Sequence, residues 1–358
     1  MREKIKVLIA EDSPVIQMLL KHILNADPDI EVIGTANDGQ AAVDFMDHQK
    51  PDLILMDIHM PRMDGYEATR QIMIKRPTPI VICSATMKTA EVENSFRALE
   101  AGAIASVDKP VGIGHPNFDA MVATVLRTIK EMAALKITRH GAPARPSAPP
   151  SGAVRTRAPV RLVVIGASTG GPPVLHTILA GLPKDFAPPV LVVQHIATGF
   201  LGGMVEYLAK ATGREIHIAA HGDQPRPGHT YVAPDGVHMG VTPGGSIFLS
   251  RDDPENGLRP SIAFLFRAAA AAYGASVAGV LLTGMGRDGA DELKNLRNLG
   301  ALTIAQDKES SVVHGMAGEA IKLAAAAHIL PPEQIAATLA ALATPAARTT
   351  HAGDQPAP

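Results

Sequence analysis

The sequence predicts two α/β domains, each with a parallel β-sheet covered by helices, joined by a linker rich in proline and alanine. At 358 residues the chain exceeds the size of one typical hydrophobic core. Short apolar runs alternate with longer amphipathic stretches in both halves, and the composition shifts abruptly after about residue 138. We therefore place one domain at residues 4–130, the linker at 131–160, a second domain at 161–342 and a disordered tail at 343–358.

The first half contains five strand-like runs separated by stretches of helical length such as "SPVIQMLLKHILNA". The runs are "KVLIA", "EVIGTA", "DLILMD", "PIVICSA" and "AIASV". Parallel strands need a long crossover between them, and a helix usually supplies it. Five successive βα units therefore predict a (βα)5 domain with helices on both faces of the sheet.

The second half repeats this alternation with "RLVVIGA", "PVLVVQH", "SVAGVLLTG" and "LTIAQD". We expect a doubly wound parallel α/β domain here. Between the second and third of these runs lies "QPRPGHTYVAPDGVHMGVTPGGSIFLS", in which glycine and proline punctuate short apolar segments. This pattern is typical of antiparallel strands and turns, so the domain should also carry a small antiparallel β element.

Composition excludes several classes of protein. The formal net charge of −2 supplies no excess of cations for binding nucleic acid through its phosphates. No apolar run is long enough to span a membrane, and "MREKIKVLIAED" becomes acidic too early for a signal peptide. Cys83 is the only cysteine, which rules out an internal disulfide, and its apolar surroundings indicate a buried residue. We expect a cytoplasmic protein that is not membrane-embedded and binds no nucleic acid.

The ends of the predicted strands in the first half carry carboxylates, a hydroxyl and a lysine. In chain order these are Glu11, Asp12, Asp57, Ser84 and Lys109. Ligands of open parallel sheets gather beyond the carboxyl ends of the strands. Three carboxylates there would repel each other unless they share a cation, and an all-oxygen set suits Mg²⁺. The lysine and the hydroxyl could then contact a transferred phosphoryl group.

Asp57 in "LILMDIHMPRMDGYE" and the later "DKP" make residues 4–130 resemble the response-regulator receiver family. The resemblance implies a flavodoxin-like fold and phosphoryl transfer from a histidine kinase onto Asp57. It also implies that Mg²⁺ is held by Glu11, Asp12 and Asp57, and that the phosphoryl group is contacted by Ser84 and Lys109. Ser106 stands where receivers often have an aromatic switch residue, so the phosphorylation chemistry is expected while the route of signal output is open.

The turn after the first strand of the second half has G-x-S-x-G spacing, with Ser168 between Gly166 and Gly170. Small residues there allow a sharp strand-to-helix turn that presents the serine hydroxyl. Ser168 in place of a glycine excludes the dinucleotide fingerprint, and Pro172 after the last glycine excludes the P-loop. The alternative is a tight turn whose serine caps the following helix.

A serine nucleophile needs a base and a group that orients the base. Among the histidines after the linker, only His195 directly follows a long β-rich run, which places it at the same sheet edge as Ser168. Two strand-end carboxylates, Asp288 and Asp307, could orient the histidine. The glycine-rich loop around Asp288 favours it without excluding Asp307. The order Ser, His, Asp disfavours the α/β-hydrolases.

Six ordered motifs make residues 160–342 resemble the catalytic domain of the chemotaxis-type protein-glutamate methylesterases. They are "IGASTGGP", "VVQHIATGF", "YVAPDGVHM", "RPSIAFLFRAAAAAYG", "LLTGMGRDGADEL" and "AQDKESSVVHGM". The resemblance implies that Ser168 is the nucleophile, His195 the general base and acid, and Asp288 its orienting partner. It further implies a supporting hydrogen bond from Thr169 to the histidine and an oxyanion contact from the Met285 amide.

Together the two resemblances imply a phosphorylation-activated hydrolase. It would remove methyl esters from glutamates of methyl-accepting chemoreceptors and deamidate receptor glutamines, with a chemotaxis-type histidine kinase as phosphodonor. Mg²⁺ would belong to the receiver domain, with no cofactor in the catalytic domain. The order receiver, linker, esterase separately motivates the hypothesis that the receiver covers the active site until it is phosphorylated. Two alternatives remain: a phosphorylation-controlled, non-catalytic binding module of a receptor array, and a DNA-binding regulator, which the absence of a basic helix-turn-helix pattern disfavours.

Overall fold

The computed structural model describes residues 3–84, 101–134, 158–196 and 199–343. In the first domain strands and helices alternate as the sequence predicts from the first strand through the fourth, and a strand and a helix follow residues 85–100, which lie outside the described residues. Their bounds are β1 Ile5–Ala10, α1 Pro14–Ala26, β2 Ile30–Ala36, α2 Gly39–His48, β3 Leu53–Met56, α3 Gly65–Lys75, β4 Ile80–Ser84, β5 Ala105–Asp108 and α4 Phe118–Ala133.

The five strands form one parallel sheet in the order β2-β1-β3-β4-β5. Every residue of β3 is buried, as expected for a strand with helices on both faces. Helices α1, α2 and α3 each begin at a side-chain cap, supplied by Ser13, Asp38 and Asp64. Cys83 is buried and free, which confirms its predicted role, and burial raises the pKa of its thiol.

The second domain contains nine strands and six α-helices among the described residues. Their bounds are β6 Leu162–Ala167, α5 Gly171–Ala180, β7 Val190–Gln194, α6 Leu201–Thr212, β8 Ile216–Ile218, β9 Thr230–Val232, β10 His238–Val241, β11 Ile247–Ser250, α7 Ile262–Tyr273, β12 Val277–Leu281, α8 Ala290–Asn298, β13 Leu302–Gln306, α9 Met316–Lys322, β14 His328–Leu330 and α10 Pro332–Ala340.

Seven of these strands form a parallel sheet in the order β14-β13-β12-β6-β7-β9-β8, which confirms the predicted α/β class. From β6 the chain crosses to β7 on one side, and from β12 it crosses to β13 on the other. The carboxyl ends of β6 and β12 therefore flank a topological switch point, where open α/β sheets leave a crevice for ligands.

The antiparallel element is smaller than the sequence pattern indicates. Strands β10 and β11 pair antiparallel, as predicted. The run Thr230–Val232 was expected to join them but lies in the parallel sheet as β9, paired with β7 and β8. All three of its residues are buried, so the apolar run is stabilised by strands on both sides rather than by a hairpin partner.

The ends of the predicted segments fall partly on residues that the structure does not describe. Helix α4 ends at Ala133, beyond the predicted domain end at residue 130. Residues 135–157 of the predicted linker and residues 344–358 of the predicted tail lie outside the described residues. Within the described part of the chain, no helix combines the length and the apolar character that crossing a bilayer requires.

Candidate functional site

Ser168 lies directly beyond the end of β6, at the switch point between β6 and β12. Its amide donates to the carbonyl of Thr283, which follows β12, at 3.0 Å. Its carbonyl accepts from the amide of Gly171 at 2.8 Å and from Nε2 of Gln194 at 2.8 Å. The turn is therefore fixed by hydrogen bonds to two backbone groups and one side chain, while the Ser168 residue itself is half-buried.

Glycines surround this serine because neighbouring groups approach too closely for a side chain. A β-carbon on Gly171 would lie 2.1 Å from Oε1 of Gln194, and one on Gly284 would lie 2.6 Å from Cβ of Ser168. Gly170 has φ +77°, a conformation that favours glycine. The glycines of the G-x-S-x-G turn and of the loop after β12 thus allow the two loops to pack against each other around Ser168.

His195 follows β7, the strand beside β6, and its amide donates to the carbonyl of Ala167 at 2.9 Å. The side chain of His195 is 13% exposed, and its Nε2 lies 3.1 Å from Oδ2 of Asp288. This contact has the length of an ion pair but not the directionality of a hydrogen bond. Within the described residues, no hydrogen bond joins the imidazole to the Ser168 hydroxyl. Looser contacts of this kind are common in catalytic sites without substrate.

Asp288 is held at the N-terminus of α7 by three hydrogen bonds. Its Oδ1 accepts from the hydroxyl of Ser261 at 3.0 Å and from the amide of Ala263 at 3.1 Å, and its Oδ2 accepts from the amide of Ile262 at 2.7 Å. Burial of the carboxyl opposes ionisation. The contact with His195 and the bonds from the helix amides outweigh burial, so the pKa of Asp288 lies below its usual value. The carboxylate is therefore ionised and fixed behind the histidine.

Asp307, the other candidate carboxylate, makes its hydrogen bonds within its own loop. It follows β13, and its Oδ1 accepts from the amide of Ser310 at 3.1 Å and from the Ser310 hydroxyl. The structure thus brings Asp288 to His195 and leaves Asp307 stabilising its own loop.

Ser261 supports Asp288 and His238 supports Ser261, and neither residue was predicted from the sequence to have a role. Ser261 is the N-cap of α7, and its amide donates to Nδ1 of His238 at 3.2 Å. The other ring nitrogen, Nε2, lies 3.2 Å from the carbonyl of Asp253, and the ring stacks on Phe264 at 4.7 Å. The sequence feature that could have identified Ser261 is its position directly before an apolar helical run in "RPSIAFLF", which is typical of an N-cap.

Met285 and Thr169 are the two residues predicted to support the reaction, and their backbone groups differ in their hydrogen bonds. Met285 is exposed in the loop after β12, next to the glycine that packs on Ser168, and its amide makes no backbone hydrogen bond within the described residues. Thr169 uses its carbonyl to accept from the hydroxyl of Thr283 at 3.0 Å. Within the same residues, the predicted hydrogen bond from Thr169 to His195 does not form.

In the first domain the predicted polar residues converge at the ends of β1, β3, β4 and β5. Nζ of Lys109 lies 2.8 Å from Oε2 of Glu11 and 3.0 Å from Oδ2 of Asp57, which is 4% exposed. The amide of Lys109 donates to the carbonyl of Ser84 at 2.8 Å. Ser106 lies within β5, paired with Ile82 of β4.

Glu11, Asp12 and Asp57 each place one carboxylate oxygen within 4.8 Å of the others, an arrangement that can hold a divalent cation. Burial, together with the nearby Asp57, raises the pKa of Glu11 despite its contact with Lys109. Burial disfavours the charge on Lys109, but the two carboxylates outweigh it and raise the pKa of the amine. The negative charge at this edge is thus only partly compensated by protein groups.

Gly65 explains part of the "MDGYE" motif. A β-carbon at this position would lie 2.1 Å from the carbonyl oxygen of Asp57, and the Gly65 amide donates to the carbonyl of Ile58 at 2.9 Å. The loop after β3 therefore closes tightly over the backbone of Asp57, which only glycine permits.

The folds and sites define a two-domain protein in which a phosphoacceptor-type carboxylate cluster is joined to a hydrolase-type serine, histidine and aspartate. Comparison with known families agrees. Residues 163–339 match the model of the CheB methylesterase family, and residues 7–115 match the response regulator receiver domain. The chain belongs to the CheB methylesterase family and carries a response regulator receiver domain.

Curated relatives cover almost the entire chain. The chain is 53% identical over 340 residues to a protein-glutamate methylesterase/protein-glutamine glutaminase of Nitrosospira multiformis, with 94% of this chain and 96% of the relative covered. It is 52% identical to a protein of the same name from Geobacter metallireducens, with 95% and 99% covered. The crystal structure of the Thermotoga maritima CheB methylesterase catalytic domain matches with TM-score 0.50 and 36% identity, over 52% of this chain and 100% of that domain.

Proposed function

We propose that this chain is a phosphorylation-controlled protein-glutamate methylesterase that also acts as a protein-glutamine glutaminase. The observation that carries the proposal is that Ser168 and His195 follow the adjacent strands β6 and β7 at the switch point, with the buried, ionised Asp288 3.1 Å from the histidine. The names of the curated relatives, which are 53% and 52% identical, supply the substrate class.

In the acylation step, Oγ of Ser168 forms a bond to the carbonyl carbon of a glutamate γ-methyl ester and its proton passes to His195. Because Asp288 occupies Nε2, Nδ1 is the ring nitrogen left to accept that proton. The Asp288 carboxylate stabilises the resulting imidazolium. When the tetrahedral intermediate collapses, the ester C–O bond breaks, and methanol leaves with the proton from His195.

In the deacylation step, His195 takes a proton from water, and the hydroxide attacks the acyl-enzyme. The bond to Oγ breaks, Ser168 recovers its proton, and a free glutamate side chain is released. A glutamine side chain can follow the same route with ammonia as the leaving group. Neither step requires a cofactor in the catalytic domain.

The Met285 amide is the donor that we assign to the oxyanion. Met285 is an exposed residue beside the glycine that packs on Ser168, and its amide has no backbone acceptor within the described residues. A preorganised amide of this kind stabilises the charge that develops on the carbonyl oxygen in the transition state.

In the receiver domain, Asp57 is the proposed acceptor of a phosphoryl group from a chemotaxis-type histidine kinase. Lys109 lies 3.0 Å from its carboxylate and would contact the phosphoryl oxygens together with Ser84. Glu11, Asp12 and Asp57 fit Mg²⁺, because their oxygens converge and the buried Glu11 is poorly solvated. When bound, Mg²⁺ neutralises charge on the transferring phosphate.

The order of the two domains suggests how phosphorylation controls the esterase. Val312 packs against the hydrophobic core of the receiver domain, and a β-carbon on Gly170 would lie 2.6 Å from Cβ of Val312. This contact supports a resting state in which the receiver covers the turn that bears Ser168. Phosphorylation of Asp57 would then shift the population toward an uncovered site.

The proposed partners follow from the reaction. The substrates are methyl-accepting chemoreceptors, the phosphodonor is the histidine kinase, and no role in binding nucleic acid is proposed. We place the enzyme in the cytoplasm, where a chain with a free, buried cysteine suits the reducing conditions.

The decisive test is methanol release from methylated chemoreceptor membranes by the purified full-length chain. Release should rise when Mg²⁺ and a small-molecule phosphodonor are added, and the Ser168→Ala variant should release none above background. A variant with unchanged release would remove Ser168 from the mechanism. No release by the wild type from several receptor preparations would favour a non-catalytic binding module.

A further inference from the structure

A second group of metal-ligating side chains lies at the edge of the seven-stranded sheet. Glu215 immediately precedes β8, His217 lies within β8, and His229 immediately precedes β9. One ligand atom of each side chain lies within 4.8 Å of the other two. We propose that these three residues form a Zn²⁺ site that links the edge strand β8 to β9.

The two imidazoles already converge on one point. Nε2 of His217 and Nδ1 of His229 lie 2.9 Å apart, and the rings are inclined by only 14°. Without a metal, one neutral ring must donate its proton to the other. Two Zn–N bonds of about 2.0–2.1 Å at a tetrahedral angle hold their nitrogens about 3.3 Å apart. Replacing the shared proton by Zn²⁺ therefore requires the two nitrogens to separate by about 0.4 Å and each ring to turn until its lone pair points at the ion.

The backbone fixes the positions from which these side chains project. The amide of Thr230 donates to the carbonyl of Glu215 at 2.9 Å, and the amide of Val190 donates to the carbonyl of His229 at 3.0 Å. The ring of Tyr231 lies 5.3 Å from that of His217 and limits its rotation. Preorganised ligands lose little freedom on binding, which favours a specific ion over a diffuse one.

The ligand types select the metal. Two imidazole nitrogens and one carboxylate match the borderline-soft Zn²⁺ better than Mg²⁺ or Ca²⁺, which prefer oxygen. Glu215 is exposed and both histidines are half-buried, so the ion can enter from solvent and keep water as its fourth ligand. Since β8 is a three-residue edge strand that pairs only with β9 among the described strands, the metal would add a cross-link where β8 is held by three residue pairs.

The site is separate from the triad. His229 pairs with Val190 at the start of β7, whereas His195 follows the end of that strand. At about 3.3 Å per residue, the five-residue strand separates the two histidines by about 16 Å. Zn²⁺ at this position would stabilise the fold without joining the ester chemistry.

The test is calorimetric titration of Zn²⁺ into metal-free, full-length protein kept in excess Mg²⁺, so that the receiver carboxylates are occupied. We expect one Zn²⁺ per chain and a rise in the thermal unfolding temperature. The variants His217→Asn and His229→Asn should each weaken binding by at least about tenfold. The matched control His48→Asn, which alters an exposed histidine of the receiver domain, should bind as the wild type does.

The variant Glu215→Gln distinguishes loss of Zn²⁺ binding from misfolding. The Glu215 side chain is exposed, and glutamine has nearly the same shape, so the fold should be kept. The variant should also weaken Zn²⁺ binding while leaving the unfolding temperature of the metal-free protein unchanged. Zn²⁺ binding of equal affinity in all three cluster variants would place the ion elsewhere, and the absence of binding by the wild type would equally overturn the site.

Discussion

The hydroxyl of Ser261 donates to Oδ1 of Asp288 at 3.0 Å, across 27 positions of the chain. On its other side the same carboxylate lies 3.1 Å from Nε2 of His195. The N-terminus of α7 therefore holds the group that orients the proposed catalytic base. A helix N-terminus stabilises a negative charge, which agrees with the lowered pKa of Asp288.

Replacement of Ser261 tests this arrangement. Ser261→Ala removes one of three bonds to Asp288, and a hydrogen bond to a charged group contributes about 1.5 kcal/mol. About 1.4 kcal/mol corresponds to a tenfold rate change, so kcat in the methanol-release assay should fall about tenfold with little change in KM. Loss of the N-cap should also lower stability by about 1 kcal/mol.

Two further variants separate positioning from folding. Ser261→Thr keeps a hydroxyl and should recover most of the activity. Ser310→Ala removes the bond from the Ser310 hydroxyl to Asp307 and should leave kcat unchanged. Full activity of Ser261→Ala would mean that the helix amides alone suffice to hold Asp288.

Gly284→Ala tests the close approach of the two loops. The new β-carbon would lie 2.6 Å from Cβ of Ser168 and 2.7 Å from Cε of Met316, so the serine must shift. Displacement of a reacting group by about 1 Å can cost about 100-fold in rate, and we expect a loss of that order in kcat. Gly112→Ala, where nothing lies within 4 Å of the added carbon, is the control. Unchanged turnover of Gly284→Ala would show that the loops tolerate separation.

Glu11→Gln tests the unbalanced charge in the receiver domain. Burial raises the pKa of Glu11 above its usual value, so the folded state binds this proton more tightly than the unfolded state does. Its ionised form therefore costs stability, and that cost grows as pH rises from the unfolded pKa through the folded one. Without Mg²⁺, Glu11→Gln should unfold at a higher temperature than the wild type at pH 7, and the difference should vanish in acid.

Added Mg²⁺ should reverse the order of the two unfolding temperatures, so that the wild type unfolds at a higher temperature than Glu11→Gln. The cation would stabilise the wild type through its three carboxylates, while the variant lacks one of them. Thermal unfolding of both proteins across a Mg²⁺ titration provides the measurement. A variant that gains as much stability from Mg²⁺ as the wild type would exclude Glu11 as a ligand.

Asp57→Asn tests control by phosphorylation. The amide cannot accept a phosphoryl group, so the phosphodonor should no longer raise methanol release, while the activity without phosphodonor should stay near that of the unphosphorylated wild type. Phosphorylation is measured with a labelled phosphodonor in the same samples. Stimulation that persists in the variant would mean that the phosphodonor acts at another residue.

Much of the fold follows from local sequence patterns. The five strand-like runs of the first half all form the predicted parallel sheet, because each is rich in apolar residues and is followed by a stretch of helical length. The short strand β9 was misassigned, because three residues of "TYV" carry no information about which neighbour will pair with them.

The sequence by itself determined the reactive residue types and their place at strand ends: Ser168 in a turn of small residues, His195 after a buried strand, and Asp57 with its neighbouring acids. These are local features of strands and turns. Only the tertiary structure decided that Asp288 rather than Asp307 reaches His195, and that the hydroxyl of Ser261 holds the aspartate while His238 accepts from the Ser261 amide. The reason is that these contacts depend on the order of strands in the sheet and on where α7 begins in space, neither of which the spacing of residues along the chain specifies.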